Sequence, residues 1–283
     1  MNFVTYKELV SDIHAWIDAR PDWYEYRGVV GIPNSGMVPA HIIASRCGLP
    51  VVDLESYLNT GGRFRPSRHL SREMIPNPTK GKVLVIDDSI YAGMTMKWAE
   101  GELRSHAAMQ GMEYELAAIY SSMISIPYSY FRVIDSPRMF EWNWLHNTTL
   151  TDCLVDLDGL ICEDPRERIG EDDYASWIPR AKPRHLPKVR LGVIVSARLE
   201  KYQEPTEQWL RDHSIVFHEL FLIDSTAEER ESRNLYVEHK ARCYQNSQAH
   251  IFIESDHGQA KQISRRTKRP VLCMTDPITI YSE

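Results

Sequence analysis

The sequence contains little that would place the protein outside a reducing, aqueous compartment. Its five cysteines are an odd number with no CxxC pair, which argues against a disulfide framework or a structural zinc site. No apolar run approaches the roughly 18 residues that a membrane span needs. Lys7 and Glu8 also interrupt the stretch where a signal peptide would be apolar. We therefore expect a cytoplasmic protein without a membrane partner.

The sequence also contains fewer basic than acidic residues. Lysine and arginine total 33 against 39 aspartates and glutamates, which gives a formal net charge of −6, and neither half of the chain is basic overall. This balance argues against a nucleic-acid partner, which would favour a basic face. With 43% hydrophobic and 25% charged residues, the composition is globular and excludes a disordered or fibrous chain.

The length of the chain and the alternation of its apolar runs with helix-like segments predict an α/β protein with two domains. A chain of 283 residues fits two domains of roughly 140 residues each. Apolar runs bounded by turn residues alternate with helix-like segments, which favours two mostly parallel sheets with helices on both faces. We predict one domain over 1–147 and a second over 148–283, with packed edge structure in the aromatic-rich segment 131–149.

The individual elements follow from the same patterns. In the first half the predicted strands are 28–33, 49–54, 83–88 and 114–122, and the predicted helices are 5–19, 37–47 and 94–110. In the second half the predicted strands are 151–159, 190–198, 217–224, 250–256 and 270–274, with a helix near 204–213. Each half therefore repeats the alternation that parallel sheets require.

The strongest local signal in the first half is the string VLVIDDSIYAGMT at 83–95. A buried strand ends in Asp87 and Asp88, and a short loop then leads into a helix, at the edge where open α/β sheets bind ligands. The helix N-terminus offers unpaired N–H groups to a phosphate, Gly93 lets the backbone approach closely, and Thr95 adds a hydroxyl donor. The adjacent acids suit ribose hydroxyls or a metal that arrives with the ligand. Together these parts predict a site for a phosphorylated ribose.

This string resembles the phosphoribosyl diphosphate (PRPP) motif of type I phosphoribosyltransferases. Its DDSI sequence is most similar to the glutamine amidotransferase branch of that family. The segment 29–40 resembles the pyrophosphate-binding loop of that family, and 59–69 resembles its flexible loop. The resemblance implies that PRPP binds as a magnesium complex, with Asp87 and Asp88 on the ribose. It also implies that the 5′-phosphate is bound by Tyr91, Ala92, Gly93, Met94 and Thr95. The pyrophosphate would be bound by Pro33, Asn34, Ser35 and Gly36, together with Arg63 and Arg65.

Two features depart from the family pattern. Tyr91 and Ala92 stand where small hydroxyl residues are common, so backbone N–H groups would have to hold the phosphate. The segment that should contact the base aligns with no branch of the family, which leaves the acceptor open. The aromatic residues at 140–144 have two interpretations, stacking on a base or packing at a domain interface.

The second half opens with CLVDLDGLICEDP at 153–165. Asp156 ends an apolar strand and Asp158 follows two residues later, so both carboxylates point to one side of the strand end. Such a pair suits phosphoryl transfer, in which one carboxylate attacks phosphorus and the other moves the proton of the leaving group. Two clustered carboxylates repel each other unless a divalent cation lies between them. Oxygen ligands without histidine or cysteine favour Mg²⁺ over zinc.

DLDG at a strand end resembles the signature of haloacid-dehalogenase-type (HAD) phosphohydrolases, a fold with a Rossmann-like sheet. Ser196 in GVIVSAR, Lys240 in VEHKARCY, and the acids of HIFIESD follow in the order of that family. The resemblance implies Asp156, Asp158, Ser196 and Lys240 as catalytic residues and Asp156, Asp158, Glu254 and Asp256 as the metal set. Ala197 replaces the usual glycine, and the spacing of Glu254 and Asp256 departs from the usual acidic motif.

Each of these residues also has a simpler interpretation when taken alone. Ser196 suits a helix N-cap, Arg198 a structural ion pair, and Lys240 a solvated surface position. The gaps between the motifs hold no large inserted domain. The site would then have little or no cap and would be covered by a flap at 172–187, by the first domain, or by a homo-oligomeric partner.

The sequence thus predicts a bifunctional protein of nucleotide metabolism. A PRPP-binding phosphoribosyltransferase domain would be joined to an Mg²⁺-dependent phosphatase that acts through an aspartyl-phosphate on a nucleotide or sugar phosphate. One alternative is a phosphatase whose first domain senses PRPP or a nucleotide without chemistry. Another is a nucleic-acid 3′-phosphatase, because SARLEKYQEPTEQWL at 196–210 resembles that branch.

Overall fold

The structure is a computed structural model that describes residues 1–64, 81–106, 109, 111–165 and 170–282. The chain divides into two compact units. The N-terminal unit comprises residues 2–142, and the C-terminal unit comprises residues 143–283 together with Met1. Each unit is built around its own sheet.

The N-terminal unit contains a five-stranded sheet in the order β3-β2-β4-β5-β6, in which every neighbouring pair is parallel. Strands β1 and β7 form a separate parallel pair. The elements are β1 (Asn2–Val4), α1 (Tyr6–Asp18), β2 (Tyr26–Gly31), α2 (Met37–Cys47), β3 (Val51–Asp53), α3 (Leu54–Asn59), β4 (Lys82–Ile90), α4 (Met94–Ser105), β5 (Tyr114–Ser121), β6 (Ser129–Val133) and β7 (Arg138–Phe140), with a 3-10 turn at Trp23–Glu25.

Both faces of this sheet are covered, because successive strand residues point to opposite sides. One core contains Leu84 and Ile86 together with apolar residues of α1 and α2. The other contains Val83 and Val85 together with residues of α3 and α4. The run of buried residues through β4 is therefore continuous, as expected for a central parallel strand.

Helix α1 shows how local sequence defines an element. Its N-cap Thr5 accepts a hydrogen bond from the backbone N–H of Glu8, and the Glu8 side chain accepts one in return from the Thr5 backbone. This capping box satisfies two donors that the first turn would otherwise leave unpaired. The buried face then repeats at helical spacing, with Leu9, Ile13, Trp16 and Ile17 all buried.

The C-terminal unit contains a six-stranded sheet in the order β10-β9-β8-β11-β12-β13. All neighbouring pairs are parallel except the last, β12 with β13. The elements are β8 (Cys153–Asp156), α5 (Glu171–Trp177), β9 (Leu191–Leu199), α6 (Gln203–Asp212), β10 (Phe217–Ile223), α7 (Ala227–Ser232), α8 (Leu235–Gln245), β11 (Ile251–Glu254), α9 (His257–Thr267), β12 (Val271–Cys273) and β13 (Thr279–Tyr281). The 3-10 turns are Trp144–His146, Thr148–Asp152, Ile178–Arg180 and Glu200–Tyr202.

The predicted α/β class, with mostly parallel sheets and helices, is confirmed. The predicted helix over 94–110 was too long, because α4 ends at Ser105 and His106 already has an extended backbone. The predicted elements also omit several short ones, which are three to seven residues long and give too few repeats for a periodic signal: β1, α3, β6, β7, α5, α7 and β13. They omit α8 and α9 as well, although these helices have 11 residues each. In the part of the chain that the structure describes, no helix combines the length and the apolar character needed to cross a membrane.

Candidate functional site

The two acidic residues of the first predicted site lie in the last part of β4. Asp87 is 7% exposed and Asp88 is 3% exposed. The Asp87 carboxylate accepts a hydrogen bond of 2.8 Å from the backbone N–H of Asp88. Burial, followed by the neighbouring Asp88 charge, raises the pKa of Asp87 well above its usual range. A ligand that brings donors or positive charge would therefore favour the ionised acid.

The predicted pyrophosphate loop reaches these acids. The Ser35 hydroxyl donates a hydrogen bond of 3.0 Å to Oδ1 of Asp88, across 53 positions of sequence. Gly36 is buried against the backbone of Ile86 and Asp87, whereas Pro33 and Asn34 are exposed. The loop 33–36 and the acidic pair therefore occupy one edge of the sheet.

The predicted phosphate loop connects β4 to α4. Gly93 has a φ of 73° and forms the N-cap of α4, a conformation that disfavours side chains larger than hydrogen. The Ser122 hydroxyl donates to the carbonyl of Tyr91 at 2.9 Å, and buried Arg138 donates to the carbonyl of Ile90 at 2.8 Å. The first-turn N–H groups of a helix have no partner within it, so this turn is suited to an anion. The remaining loop residues Tyr91, Ala92, Met94 and Thr95 are all exposed.

Trp142, from the aromatic segment 140–144, contacts this acidic pair. Its indole N–H donates a hydrogen bond of 2.6 Å to Oδ2 of Asp88. The indole ring stacks on Phe140 with 4.9 Å between centroids and lies 5.7 Å from the Tyr6 ring. With Ser35 on the other oxygen, both carboxylate oxygens of Asp88 have donors from the chain itself.

The predicted flexible loop is described only in part. Arg63 is exposed, and its carbonyl accepts a hydrogen bond of 2.9 Å from the Thr60 hydroxyl. Arg65 lies outside the described residues. The contacts of both arginines with pyrophosphate stay a prediction.

We expect Gly36→Ala to destabilise the N-terminal unit by about 1–3 kcal/mol, the usual cost of overpacking. A Cβ there would lie 2.5 Å from the Ile32 carbonyl oxygen and 2.7 Å from that of Ile86. The matched control is Gly101→Ala, where nothing lies within 4 Å. Because Gly101 is inside α4, this change should stabilise by about 0.5–1 kcal/mol. Urea midpoints of the full chain measure both, and shifts of the same sign would refute the steric argument.

In the C-terminal unit, a lysine joins two buried carboxylates. Lys240 Nζ lies 2.9 Å from Oδ1 of Asp156 and 2.8 Å from Oε2 of Glu254, and it donates to Gln259 at 3.1 Å. Lys240 and Asp156 are each 2% exposed, and Glu254 is fully buried. Lys240 is therefore not the solvated surface lysine of the simpler interpretation.

The second carboxylate of the predicted pair has its own cationic partner. Arg198 binds Asp158 through two guanidinium nitrogens, with Nη2 2.6 Å from Oδ1 and Nε 3.1 Å from Oδ2. The Ser196 hydroxyl donates to Oδ2 of Asp158 at 2.9 Å. Ser196 lies within β9, so it is not a helix N-cap. Arg198 forms an ion pair, as its simpler interpretation held, and its partner is the predicted acid.

These different partners separate the two acids electrostatically. Burial and the Glu254 charge raise the pKa of Asp156 well above its usual range, against the opposing effect of Lys240. Burial would also raise the pKa of Asp158, but the Arg198 charge and its hydrogen bonds outweigh this and lower it. Asp158 is therefore the firmly ionised member of the pair.

A pocket of about 730 Å³ opens above these residues. Asp156, Asp158, Arg198 and Lys240 border it, whereas Ser196 and Glu254 do not. Gly159 turns the chain beside it with a φ of 80°, and a Cβ there would lie 2.5 Å from the Ser255 hydroxyl. The remaining lining residues are Asp164, Pro165, Gly170, Tyr174, Ala197, Tyr202, Ala227, Arg230, Glu231, Tyr236, Ser255, Asp256 and Gln259.

The predicted metal ligands have unequal surroundings. Glu254 accepts hydrogen bonds from Lys240 and from the backbone N–H of Ser255 at 2.9 Å. Asp256 is exposed, and its carboxylate accepts the Gln259 N–H at 2.7 Å to cap α9. Within the described ranges, no group of three or more His, Cys, Asp or Glu is placed to hold a metal. The four-carboxylate magnesium set stays a prediction.

The chain belongs to the phosphoribosyl transferase domain family. Residues 5–146, just over half of the 283, match that family, and they include the loop 33–36, the acidic pair and the loop 91–95. No curated protein matches the chain. The predicted type I phosphoribosyltransferase-like domain is thereby supported.

Several solved structures are similar to half of the chain. Xanthine-guanine-hypoxanthine phosphoribosyltransferase of Helicobacter pylori is 12% identical, with a TM-score of 0.35, over 50% of this chain and 91% of that one. A purine phosphoribosyltransferase from Pyrococcus horikoshii Ot3 is 17% identical, with a TM-score of 0.34, over 50% of this chain and 92% of that one. A hypothetical protein from Neisseria gonorrhoeae with bound ppGpp is 14% identical, with a TM-score of 0.35, over 50% of this chain and 89% of that one. Likenesses of this size do not identify a substrate.

Proposed function

We propose that the N-terminal unit binds PRPP and transfers its phosphoribosyl group. The hydrogen bond between Ser35 and Asp88 carries this proposal, because it joins the two segments that resemble the pyrophosphate and ribose sites of the family. Residues 33–36 would hold the pyrophosphate, and Asp87 with Asp88 the ribose hydroxyls. The N-terminal turn of α4 would hold the 5′-phosphate. The Asp88 contacts with Ser35 and Trp142 would rearrange as the ribose enters.

Calorimetric titration of the full chain with PRPP and Mg²⁺ tests this proposal. The charge-assisted hydrogen bonds of Asp88 are each worth about 1.5–3 kcal/mol, so Asp88→Asn should weaken PRPP binding by about tenfold or more. The matched control is Asp135→Asn, an exposed carboxylate in the same unit, which should bind normally. Pyrophosphate release with a panel of bases then distinguishes a transferase from a sensor. If the wild-type chain does not bind PRPP, both versions of the proposal fail.

We further propose that the chain is divided functionally into 1–147 and 148–283, and that the second part is a HAD-type phosphatase. The convergence of Lys240 on Asp156 and of Arg198 and Ser196 on Asp158, beside one pocket, supports this proposal. An Asp156 oxygen would attack phosphorus while the bond to the leaving oxygen breaks. Water would then attack the phosphorus of the aspartyl-phosphate, release inorganic phosphate and restore Asp156.

The state of Asp158 in the structure fits the second of these steps. An ionised carboxylate held by Arg198 can accept a proton from water. To protonate the leaving oxygen in the first step, Asp158 must first acquire a proton and loosen its contact with Arg198. Lys240 offsets negative charge on Asp156 and on the transferring group, whereas Ser196 holds Asp158 in position.

The oxygen donors beside the pocket are of the type that Mg²⁺ prefers, and they support it as the metal of this proposal. Among the residues that the structure describes, five acids border the pocket together with three cations, Arg198, Arg230 and Lys240. The acids are Asp156, Asp158, Asp164, Glu231 and Asp256. Asp156, Asp256 and the Asp158 carbonyl would supply the oxygen ligands that Mg²⁺ prefers. Glu254 is bound to Lys240 and is the least available. The bound ion would offset the charge of the phosphate and favour its approach to the carboxylates.

Phosphate release from a panel of nucleotides, sugar phosphates and a 3′-phosphorylated oligonucleotide, with and without Mg²⁺, tests the phosphatase proposal. Release that requires Mg²⁺ supports it. Preference for the oligonucleotide would instead support the 3′-phosphatase alternative. Failure to release phosphate from every substrate would overturn the phosphatase proposal without affecting PRPP binding.

A further inference from the structure

One side of the pocket in the C-terminal unit is aromatic. Tyr174, Tyr202 and Tyr236 all border it. The rings of Tyr174 and Tyr202 lie 5.1 Å apart at 52°, and the Arg230 guanidinium lies 5.2 Å from the centre of the Tyr236 ring. This wall therefore places aromatic rings and a guanidinium beside the pocket, which are groups that can contact a planar ring.

Helix α5 places Tyr174 in the lining of the pocket that Asp156 and Asp158 also border. Its neighbour on the helix, Trp177, packs against Tyr174 with 5.4 Å between centroids. The Arg198 guanidinium lies 5.6 Å from the Trp177 ring centre. Trp177 therefore packs between Tyr174 and the arginine that binds Asp158.

The Tyr174 hydroxyl has no hydrogen-bond partner among the residues that the structure describes, although the side chain is partly buried. Burial, and then the charge of Asp158, raises the pKa of Tyr174 above its ordinary value. The hydroxyl therefore keeps its proton near neutral pH and is available to a ligand in the pocket as a hydrogen-bond donor.

We propose that Tyr174 contacts the leaving group of the phosphate ester, and that the preferred leaving group carries a planar aromatic ring, as in a nucleotide. This inference rests on the proposed phosphatase function and selects among its substrates. A nucleobase has a π face for the tyrosine rings and ring acceptors for the Tyr174 hydroxyl. A sugar phosphate has no aromatic ring, so it would contact neither the tyrosine ring faces nor the Tyr174 hydroxyl in this way. Tyr174 is thus a specificity-determining residue on the flap that the sequence placed at 172–187.

AMP and ribose 5-phosphate are the matched probes, because they are the same ester with and without the base. We expect wild-type kcat/KM for AMP to exceed that for ribose 5-phosphate. Tyr174→Ala should lower kcat/KM for AMP by about tenfold, within the range found for loss of base stacking. Its effect on ribose 5-phosphate should stay below about twofold. Tyr174→Phe keeps the ring and should lower the AMP value by only about threefold, as expected for one hydrogen bond. The control is Tyr24→Ala, an 85% exposed tyrosine of the N-terminal unit.

Three outcomes would overturn the inference. Equal losses on both esters would make Tyr174 a structural residue, and a wild-type preference for ribose 5-phosphate would exclude the substrate class. If the wild-type chain releases phosphate from neither ester, the phosphatase proposal fails for AMP and ribose 5-phosphate. The affinity for AMP is then measured for two variants, Asp156→Asn and the double variant Asp156→Asn/Tyr174→Ala. Both variants carry the same N-terminal unit, so a difference reports the C-terminal pocket. Equal AMP binding would overturn the Tyr174 inference as well.

Discussion

Asp156→Asn in the full chain is expected to lower phosphate release by about 1,000-fold or more, the scale seen when a covalent nucleophile is removed. The amide has nearly the shape of the carboxylate but cannot attack phosphorus. PRPP binding should be unchanged, because Asp156 belongs to the C-terminal unit. Continuous detection of inorganic phosphate and PRPP calorimetry on the same preparation measure both effects.

The fold should survive this substitution. Lys240 keeps its contact of 2.8 Å with Glu254, and the neutral amide removes the repulsion between Asp156 and Glu254. Asp152→Asn is the matched control, since it changes an exposed carboxylate just before the same strand and should leave turnover intact. If Asp156→Asn retains more than about a tenth of the wild-type rate, Asp156 is not the nucleophile.

The N-terminal site was largely predictable because its signals are local. An apolar run followed by two acids and a glycine-containing turn specifies β4, the acidic pair and the start of α4 within thirteen residues. The loop 33–36 carries a similar strand–loop–helix pattern. Since the two strands β2 and β4 are neighbours in a parallel sheet, their following loops meet at one edge.

Trp142 was not predictable in the same way. Its contact with Asp88 spans 54 positions and depends on the pairing of β7 with β1, at the two ends of the unit. No spacing rule connects a tryptophan after one strand to a carboxylate after another. The aromatic segment 140–144 left two interpretations open, stacking on a base or packing at a domain interface, and neither indicated a contact between Trp142 and Asp88.

The C-terminal site shows a second limit. The sequence predicted that Asp156, Asp158, Ser196 and Lys240 form one site, and in the structure Lys240 contacts Asp156 and Ser196 contacts Asp158. It did not identify the pairing, in which each acid has its own cation. Lys240 contacts Asp156 because of the way α8 packs beside β11. Packing between separate elements is set by the tertiary structure, so the local sequence around Lys240 does not predict it. The same holds for Tyr174, whose place in the pocket follows from the contacts of α5.

Lys240→Met is expected to destabilise the C-terminal unit by about 3–5 kcal/mol, the cost of leaving buried charges without a partner. Asp156 and Glu254 would then face each other with 2% and 0% exposure and no cation between them. The double variant Lys240→Met/Glu254→Gln removes one of the two charges and should recover part of the loss. Lys261→Met, which alters an exposed lysine of α9, is the control. Thermal and urea midpoints of the full chain measure these differences.

The pH dependence separates loss of charge pairing from loss of packing. Burial alone would raise the pKa of Glu254, but Lys240 outweighs it and holds this pKa below the ordinary value of 4.5. A carboxyl whose pKa is depressed in the folded state stabilises that state at pH values above its unfolded-state pKa. This contribution is lost as the pH falls through the folded-state pKa. In Lys240→Met that contribution is absent at every pH. The stability difference from wild type should therefore be largest near neutral pH and shrink in acid, whereas a deficit that is constant with pH would mean that Lys240 acts through packing alone.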